Sequence, residues 1–269
     1  MTHTIPIALL GISGRMGRAL MQALEGCTDL SLSGALASTN SVWLGKDVGL
    51  VAGSQTLGVT ITADVQQAIA GAKVAIDFTL PQVTPINVQA CVANDTALVI
   101  GTTGHTAEQR AVIEQAAKLI PIVLAPNMSV GVNLLLKLAE LAAKALDEGY
   151  DIEIYEAHHR NKKDAPSGTA LRIGEVVAAA RGVTLKEQGD FTRYGDTGAR
   201  QRGHIGFSVA RGGDIVGDHT LLFAGPGERI ELSHRAHDRS GFARGALVAA
   251  RWLQGRKPGL YSMQDVLGL

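Results

Sequence analysis

Between residues 5 and 125 the chain alternates short apolar runs with stretches of helical periodicity, and this alternation constrains the fold more than any other feature. Runs at 5–10, 30–36, 59–62, 74–79, 97–102 and 122–125 have the length of strands. Stretches reaching to about residue 24 and spanning 64–70, 81–93 and 107–119 carry the helical pattern. A strand that is apolar along its whole length is buried on both faces, and intervening helices supply that cover when the strands run parallel. The crossovers are then right-handed. An α/β sheet is the expectation for this half.

The rhythm changes after Asn127. An amphipathic helix is predicted over 132–146, with Leu134, Leu138, Leu141 and Ala145 as its apolar stripe. A strand at 151–158 leads through a polar loop to a helix at 167–181, and 183–204 is a polar, glycine-containing excursion. Strands follow at 205–211, 214–224 and 229–237, joined by Gly212-Gly213 and Gly225-Pro226-Gly227. Turns this short predict antiparallel pairing. A last helix at 241–254 has an apolar face that needs a partner. The chain reads as two domains, with the closing helix available to return to the first.

Composition narrows the function. Lys and Arg total 25, as do Asp and Glu, and no segment hides a large excess: the net charge is −2 over 1–126, −1 over 127–235 and +3 over 236–269. A nucleic-acid backbone binder needs a strongly basic face, so nucleic acid is excluded as a partner. Five Phe, two Trp and four Tyr are thin for base stacking or a protein-recognition surface. Cys27 and Cys91 lie in no CxxC or Cys/His cluster, which predicts a reducing compartment and no metal site. The start, Met1-Thr2-His3-Thr4-Ile5, lacks a basic leader, and no stretch approaches the ~20 apolar residues of a membrane span. A soluble, cytoplasmic protein is expected.

The turn after the first strand reads Gly11-Ile12-Ser13-Gly14-Arg15-Met16-Gly17, a GxxGxxG pattern between strand and helix. Glycines there permit a tight turn and let backbone amides approach a pyrophosphate at the helix N-terminus. A plain tight turn with close helix–sheet packing is the alternative. The second strand ends in Ala37-Ser38-Thr39-Asn40, where an acidic residue would ordinarily bind ribose hydroxyls. Small hydroxyl side chains do not repel a 2′-phosphate and Arg15 is positioned to pair with one, so NADPH is the expected cofactor, with NADH accepted as well. Two further turns, Gly101-Thr102-Thr103-Gly104 and Ala125-Pro126-Asn127-Met128, follow strands whose carboxyl ends would face a nicotinamide.

The densest polar cluster runs from Glu156 to Thr169, with His158, His159, Arg160, Lys162 and Lys163 inside six residues. Such a stretch suits an anionic substrate with more than one carboxylate. The helix opening at Ser167-Gly168-Thr169 offers free amides and hydroxyls to a carboxylate, and a histidine or lysine nearby offers a proton. A solvated charged loop beside a capped helix is the alternative.

EAHHRNKKDAPSGTA at 156–170, GxxGRMG at 11–17, GTTG at 101–104 and PNMSVGVN at 126–133 together resemble the dihydrodipicolinate reductase family of lysine biosynthesis. The similarity extends to IDFT at 76–79, GDIVGDHT at 213–220 and DVL at 265–267. The resemblance implies a Rossmann-like dinucleotide-binding domain, 1–126 completed by 236–269. It implies a smaller α+β domain with a mainly antiparallel sheet, 127–235, for substrate binding and assembly into a homotetramer. It implies reduction of 4-hydroxy-tetrahydrodipicolinate to tetrahydrodipicolinate: hydride goes to C4 of a cyclic imine dicarboxylate and a proton to C3. By position, His158 would donate that proton and Lys162 would be a second donor, while His159, Gly168 and Thr169 would bind a substrate carboxylate. Gly11, Ile12, Ser13, Gly14, Arg15, Met16, Ser38, Gly101, Thr102, Thr103, Ala125, Pro126, Asn127 and Met128 would hold the dinucleotide. Many family members carry an acidic residue followed by Arg where this chain has Ala37-Ser38, a departure that weakens NADH more than NADPH. An NADPH-dependent reductase of a different small diacid is the alternative.

Overall fold

The first strand sets the architecture. In β1 (Ile5–Leu10), Ile7 and Leu9 project to one face of a sheet and Ala8 and Leu10 to the other, and all four are buried. The computed structural model describes residues 4–269; the expectation for the leader at Met1 to His3 lies outside the described residues. The chain divides into two compact units, Met1–Val130 with Ser240–Leu269, and Gly131–Arg239.

The first unit continues through α1 (Arg15–Leu24), β2 (Leu30–Leu36), α2 (Val48–Ala52), β3 (Ile61–Thr62), α3 (Val65–Ile69), β4 (Val74–Asp77), α4 (Thr84–Ala93), β5 (Ala97–Ile100), α5 (Ala107–Ala116) and β6 (Pro121–Leu124). In the second unit, α6 (Val130–Ala145, beginning at the boundary) is followed by β7 (Asp151–His158), α7 (Gly168–Ala180), α8 (Leu185–Gln188), β8 (Gly189–Asp190), β9 (Ile205–Arg211), β10 (Gly217–Gly225) and β11 (Glu228–Ala236). The chain returns to the first unit with α9 (Ser240–Trp252), β12 (Gly259–Tyr261) and α10 (Met263–Leu267).

The first unit holds a seven-stranded sheet, β12-β6-β5-β4-β1-β2-β3, with every pairing parallel. The order reverses at β1 and β4, the point at which sheets of this kind bind ligands beyond their strand ends. Ile69, Val88, Cys91 and Ile113 from α3, α4 and α5 cover the face of Ala8 and Leu10. Leu20 and Met21 of α1 cover the opposite face, together with Ala246, Leu247 and Ala250 of α9 and Met263 of α10. The C-terminal segment is thus the missing part of one helical layer. Arg251 reinforces it with bonds to both carboxylate oxygens of Asp29, at 2.6 and 2.9 Å. Three elements of this unit are not visible in the periodicity. Helix α2 sits inside the polar passage after β2, where the Asp47 carboxylate caps it by accepting from Gly49 N at 2.8 Å. Strand β12 and helix α10 close the chain.

The second unit holds a five-stranded sheet in the order β11-β10-β7-β9-β8. Here two expectations are corrected. Gly212-Gly213 does not make a hairpin: β7 lies between β9 and β10, pairing parallel with the former and antiparallel with the latter, and β8 is also parallel to β9. The sheet is therefore mixed, with antiparallel pairing confined to β7-β10-β11. The predicted stripe on α6 is also the wrong one, since Leu134, Leu138 and Leu141 are exposed. Val132, Leu135, Leu136, Ala139 and Ala143 are buried instead, in one cluster with Ile173 and Val177 of α7, Ile154 of β7 and Phe223 of β10. A helix rich in leucine on several faces satisfies the spacing test more than once, and the packing partner decides which stripe is used.

Candidate active site

In the first unit the predicted turns converge because they follow parallel strands. Phe78 N donates to Leu10 O, Gly101 N to Asp77 O and Ala125 N to Ile100 O, so the carboxyl ends of β1, β4, β5 and β6 are linked in series. Gly11 has φ +92°, and a Cβ on it would stand 2.6 Å from Phe78 O. A Cβ on Gly17 would stand 2.5 Å from both Gly11 O and Ile12 O. The turn and the start of α1 are therefore packed backbone to backbone, which only glycine permits. Gly14 is the N-cap of α1 and caps no amide with a side chain. Ile12 is buried, Ser13 and Met16 half-buried, and Arg15 exposed. Ser38 is exposed just beyond β2.

A buried carboxylate that sequence reasoning passed over organises these turns. Asp77, the last residue of β4, is fully buried. Its Oδ1 accepts from Thr79 N at 2.8 Å, Thr79 Oγ1 at 2.5 Å and Thr102 Oγ1 at 3.0 Å, and its Oδ2 accepts from Asn87 Nδ2 at 3.1 Å. Thr102 is thus committed to fixing the two turns against each other, while Thr103 beside it is exposed. Ala125 and Met128 are core residues, Pro126 is exposed, and Asn127 accepts from Ser129 N at 2.9 Å. A Cβ on Gly245 of α9 would lie 1.8 Å from Met128 O, so the C-terminal helix backs this turn directly.

In the second unit, strand periodicity builds the other cluster. Ile152 and Ile154 of β7 face the helices, and the same row continues with Glu156 and His158, both buried. Phe223 and Leu221 of β10 lead likewise to His219 and Gly217, and the register sets His219 opposite Glu156 and Arg211 opposite His158. The inward row thus turns from apolar to polar at one end of the sheet, where α7 begins.

Glu156 is fully buried and ties this end together. Arg211 donates to both of its oxygens, at 2.8 and 2.9 Å, Ser167 N donates to Oε1 at 2.9 Å, and His158 Nδ1 lies 2.5 Å from Oε2. Burial raises the pKa of this carboxyl, but the bonds from Arg211, His158 and the Ser167 amide outweigh it and hold the group ionised. Burial lowers the pKa of His158, and Glu156 offsets part of that effect. His219 packs edge-on against His158 with ring centroids 5.1 Å apart, and burial pushes its pKa down to about 4.

Of the predicted residues, Lys162 is half-buried and pairs with Asp164 at 2.9 Å. His159 lies just past the end of β7, half-buried, with its carbonyl accepting from Lys162 N. Gly168 is the exposed first residue of α7, and Thr169 the half-buried second. The Ser167 hydroxyl is spent within the protein: it accepts from Ala170 N at 3.2 Å and lies 3.0 Å from His219 Nε2. It is not available to a ligand as the sequence had suggested. Arg211, 55 residues from Glu156 in the chain, had no local signal. Glu156, His219 and Asp77 stood inside the quoted motifs without a role. Among the described residues, no group of three His, Cys, Asp or Glu is arranged to hold a metal ion, and no helix is long and apolar enough to cross a membrane.

Comparison with known proteins gives the family of the chain. Residues 5–128 match the family described as dihydrodipicolinate reductase, N-terminus, and residues 131–267 match its C-terminus counterpart. The chain belongs to the dihydrodipicolinate reductase family. It is 55% identical to 4-hydroxy-tetrahydrodipicolinate reductase of Nitrosospira multiformis, covering 99% of this chain and 98% of that one. It is 54% identical to the enzyme of the same name from Thiobacillus denitrificans, covering 99% of each. Among solved structures, a dipicolinate-bound dihydrodipicolinate reductase from Paenisporosarcina sp. TG-14 shares the fold at a TM-score of 0.78 and 24% identity, over 97% of this chain and 98% of that one. The C-terminus family region runs through α9 and α10, although these helices pack in the first unit. Family boundaries follow the order of the chain, whereas the core follows space.

Proposed function

We propose that this chain is an NAD(P)H-dependent 4-hydroxy-tetrahydrodipicolinate reductase of the diaminopimelate route to lysine. The observation that carries the proposal is the cluster of His158, Glu156, Arg211 and the α7 N-terminus, in a chain matched over its whole length by enzymes of that name.

The glycine turn fits a dinucleotide. No side chain caps the first amides of α1, no acidic residue lies in its first turn, and the glycines leave backbone where side chains would block approach. Gly11 to Met16 hold the pyrophosphate, and Gly101, Thr102, Thr103 and Ala125 to Met128 line the nicotinamide side. When bound, the nicotinamide supplies the hydride. The chain's own part in the chemistry is electrostatic and acid–base. His159, Gly168 and Thr169 bind a carboxylate of the substrate, Lys162 supplies a positive charge and a second proton source, and His158 delivers a proton from Nε2 to C3. Ser38, exposed and with no carboxylate among residues 37–41, makes NADPH the preferred cofactor over NADH.

The face of the second sheet opposite its helices carries Glu153, Tyr155, Thr220, Leu222 and Glu231, and assembly through it gives the homotetramer. The protein acts in the cytoplasm on a small dicarboxylate. The test is NADPH oxidation that depends on added 4-hydroxy-tetrahydrodipicolinate. Turnover of another cyclic or open-chain diacid in its place would reassign the substrate. Calorimetric dissociation constants equal for NADPH and NADH would remove the Ser38 argument.

A further inference from the structure

Glu156 joins polar groups from three elements at one end of the second sheet. It bonds His158 on its own strand β7, Arg211 on β9 and the backbone amide of Ser167 at the start of α7. Its position in the inward row of β7, two residues before His158, puts both side chains on one face of the sheet. A carboxylate that engages Nδ1 also decides what Nε2 does, because neutral imidazole carries one N–H and the nitrogen opposite the acceptor is left for exchange.

The environment of Nε2 supports that division of roles. A Cβ on Gly217 would stand 3.0 Å from His158 Nε2 and 3.6 Å from His219 Cε1. Gly217 is buried beside the edge of the ring away from Glu156, and any side chain there would crowd Nε2. The remaining charged and titratable groups around His158 are Arg211 from β9, His219 from β10, and Lys162 from the loop, itself paired with Asp164. Arg211 and Lys162 oppose a charge on the ring, and Glu156 alone favours it.

We propose that Glu156 is the positioning residue for the proton donor: it keeps the N–H of His158 on Nδ1, turns Nε2 toward the side kept free of a side chain by Gly217, and holds the α7 N-terminus to the same carboxylate through the Ser167 amide. Arg211 completes the device by setting how much of the Glu156 charge the histidine feels. The proposal rests on the reading of His158 as donor. It adds the group that fixes the donor's tautomer and couples it to the turn that binds the substrate carboxylate.

The test compares Glu156→Gln and Arg211→Met as full-length enzymes. A donor histidine must be protonated, so kcat falls as pH rises through its pKa. Glu156→Gln removes the charge that favours imidazolium, so the alkaline limb of kcat moves to lower pH by about one unit, and kcat drops about tenfold or more while KM for the substrate changes less. Arg211→Met removes a competing cation and moves the limb to higher pH. Shifts of opposite sign are the expected result. A residue that only supports the fold would lower activity in both variants and leave the limb in place, which overturns the proposal.

Nitrogen-15 NMR of the wild-type enzyme keeps the proposal testable if either variant fails to fold. Neutral His158 carrying its proton on Nδ1 is expected, and the Nε2–H tautomer would sink the idea. The same spectra separate this proposal from the donor assignment. A normal kcat in His158→Gln would remove the donor role, while the tautomer and the His158 titration in the two variants would still decide what Glu156 does.

Discussion

At the strand ends of the first unit, surface is created by leaving side chains out; at the sheet end of the second, it is created by burying charged ones. Gly11 and Gly17 bring backbone against backbone, and the turns around them are clamped by Asp77 through neutral donors: two threonine hydroxyls, an amide side chain and a backbone N–H. Glu156 is as deeply buried as Asp77, yet its donors are a guanidinium, an imidazole and one backbone amide. Both carboxylates tie loops together. The difference lies in what can titrate around them. A neutral shell gives fixed geometry, which suits recognition of a cofactor. A shell containing histidine gives geometry that responds to protons, which suits the chemical step.

The largest effect that would break this contrast is on turnover. His158→Gln should lower kcat by about 10²–10⁴ with a smaller change in KM, measured by steady-state NADPH oxidation. A kcat near wild type would leave the second cluster as a structural charge network only.

The next effect is on acid stability. Burial lowers the His219 pKa from 6.5 to about 4, so below pH 6.5 the unfolded chain takes up a proton that the folded chain refuses. Stability present above that value is lost as pH falls toward about 4, by on the order of 3 kcal/mol. Denaturant melts across this window should show the slope, and His219→Gln should flatten it. An unchanged slope would mean that the imidazole is not held neutral by the fold.

Smaller effects belong to the first unit. Gly17→Ala pushes α1 off the turn, costing about 1–3 kcal/mol and weakening NADPH binding, as read by thermal melts and calorimetry. Asp77→Asn should cost about 1–3 kcal/mol by leaving its donors poorly matched, raise the dissociation constant for NADPH, and leave the alkaline limb of kcat where it is. Should Asp77→Asn move that limb, the two carboxylates would not have separate roles.

Much of the first unit could be read from residues alone, because a continuously apolar run such as that of β1 has only one way to hide both faces. His158, Lys162 and the glycine turn were recognisable for a related reason: the residues that define them are neighbours in the chain. What escaped was everything that depends on distant strands. Arg211 reaches Glu156 only because β9 docks parallel to β7, and a glycine pair before β10 had suggested a hairpin instead. The stripe of α6 was misassigned because Leu134, Leu138 and Leu141 have the correct spacing and no partner among the helices and sheet of their own unit.

The sequence by itself therefore determined the two kinds of domain, the glycine turn, the position of the cationic stretch and the membership of a reductase family. These are properties of local periodicity and contiguous motifs. The tertiary structure alone decided which carboxylates are buried at the two clusters, which imidazole nitrogen of His158 meets Glu156, and that the C-terminal helix completes the first core. Those outcomes depend on pairing register and burial between segments far apart in the chain, as with Asp29 and Arg251, 222 residues apart. Short-range pattern does not encode them, because the energy of a buried charge depends on the neighbours that folding brings to it.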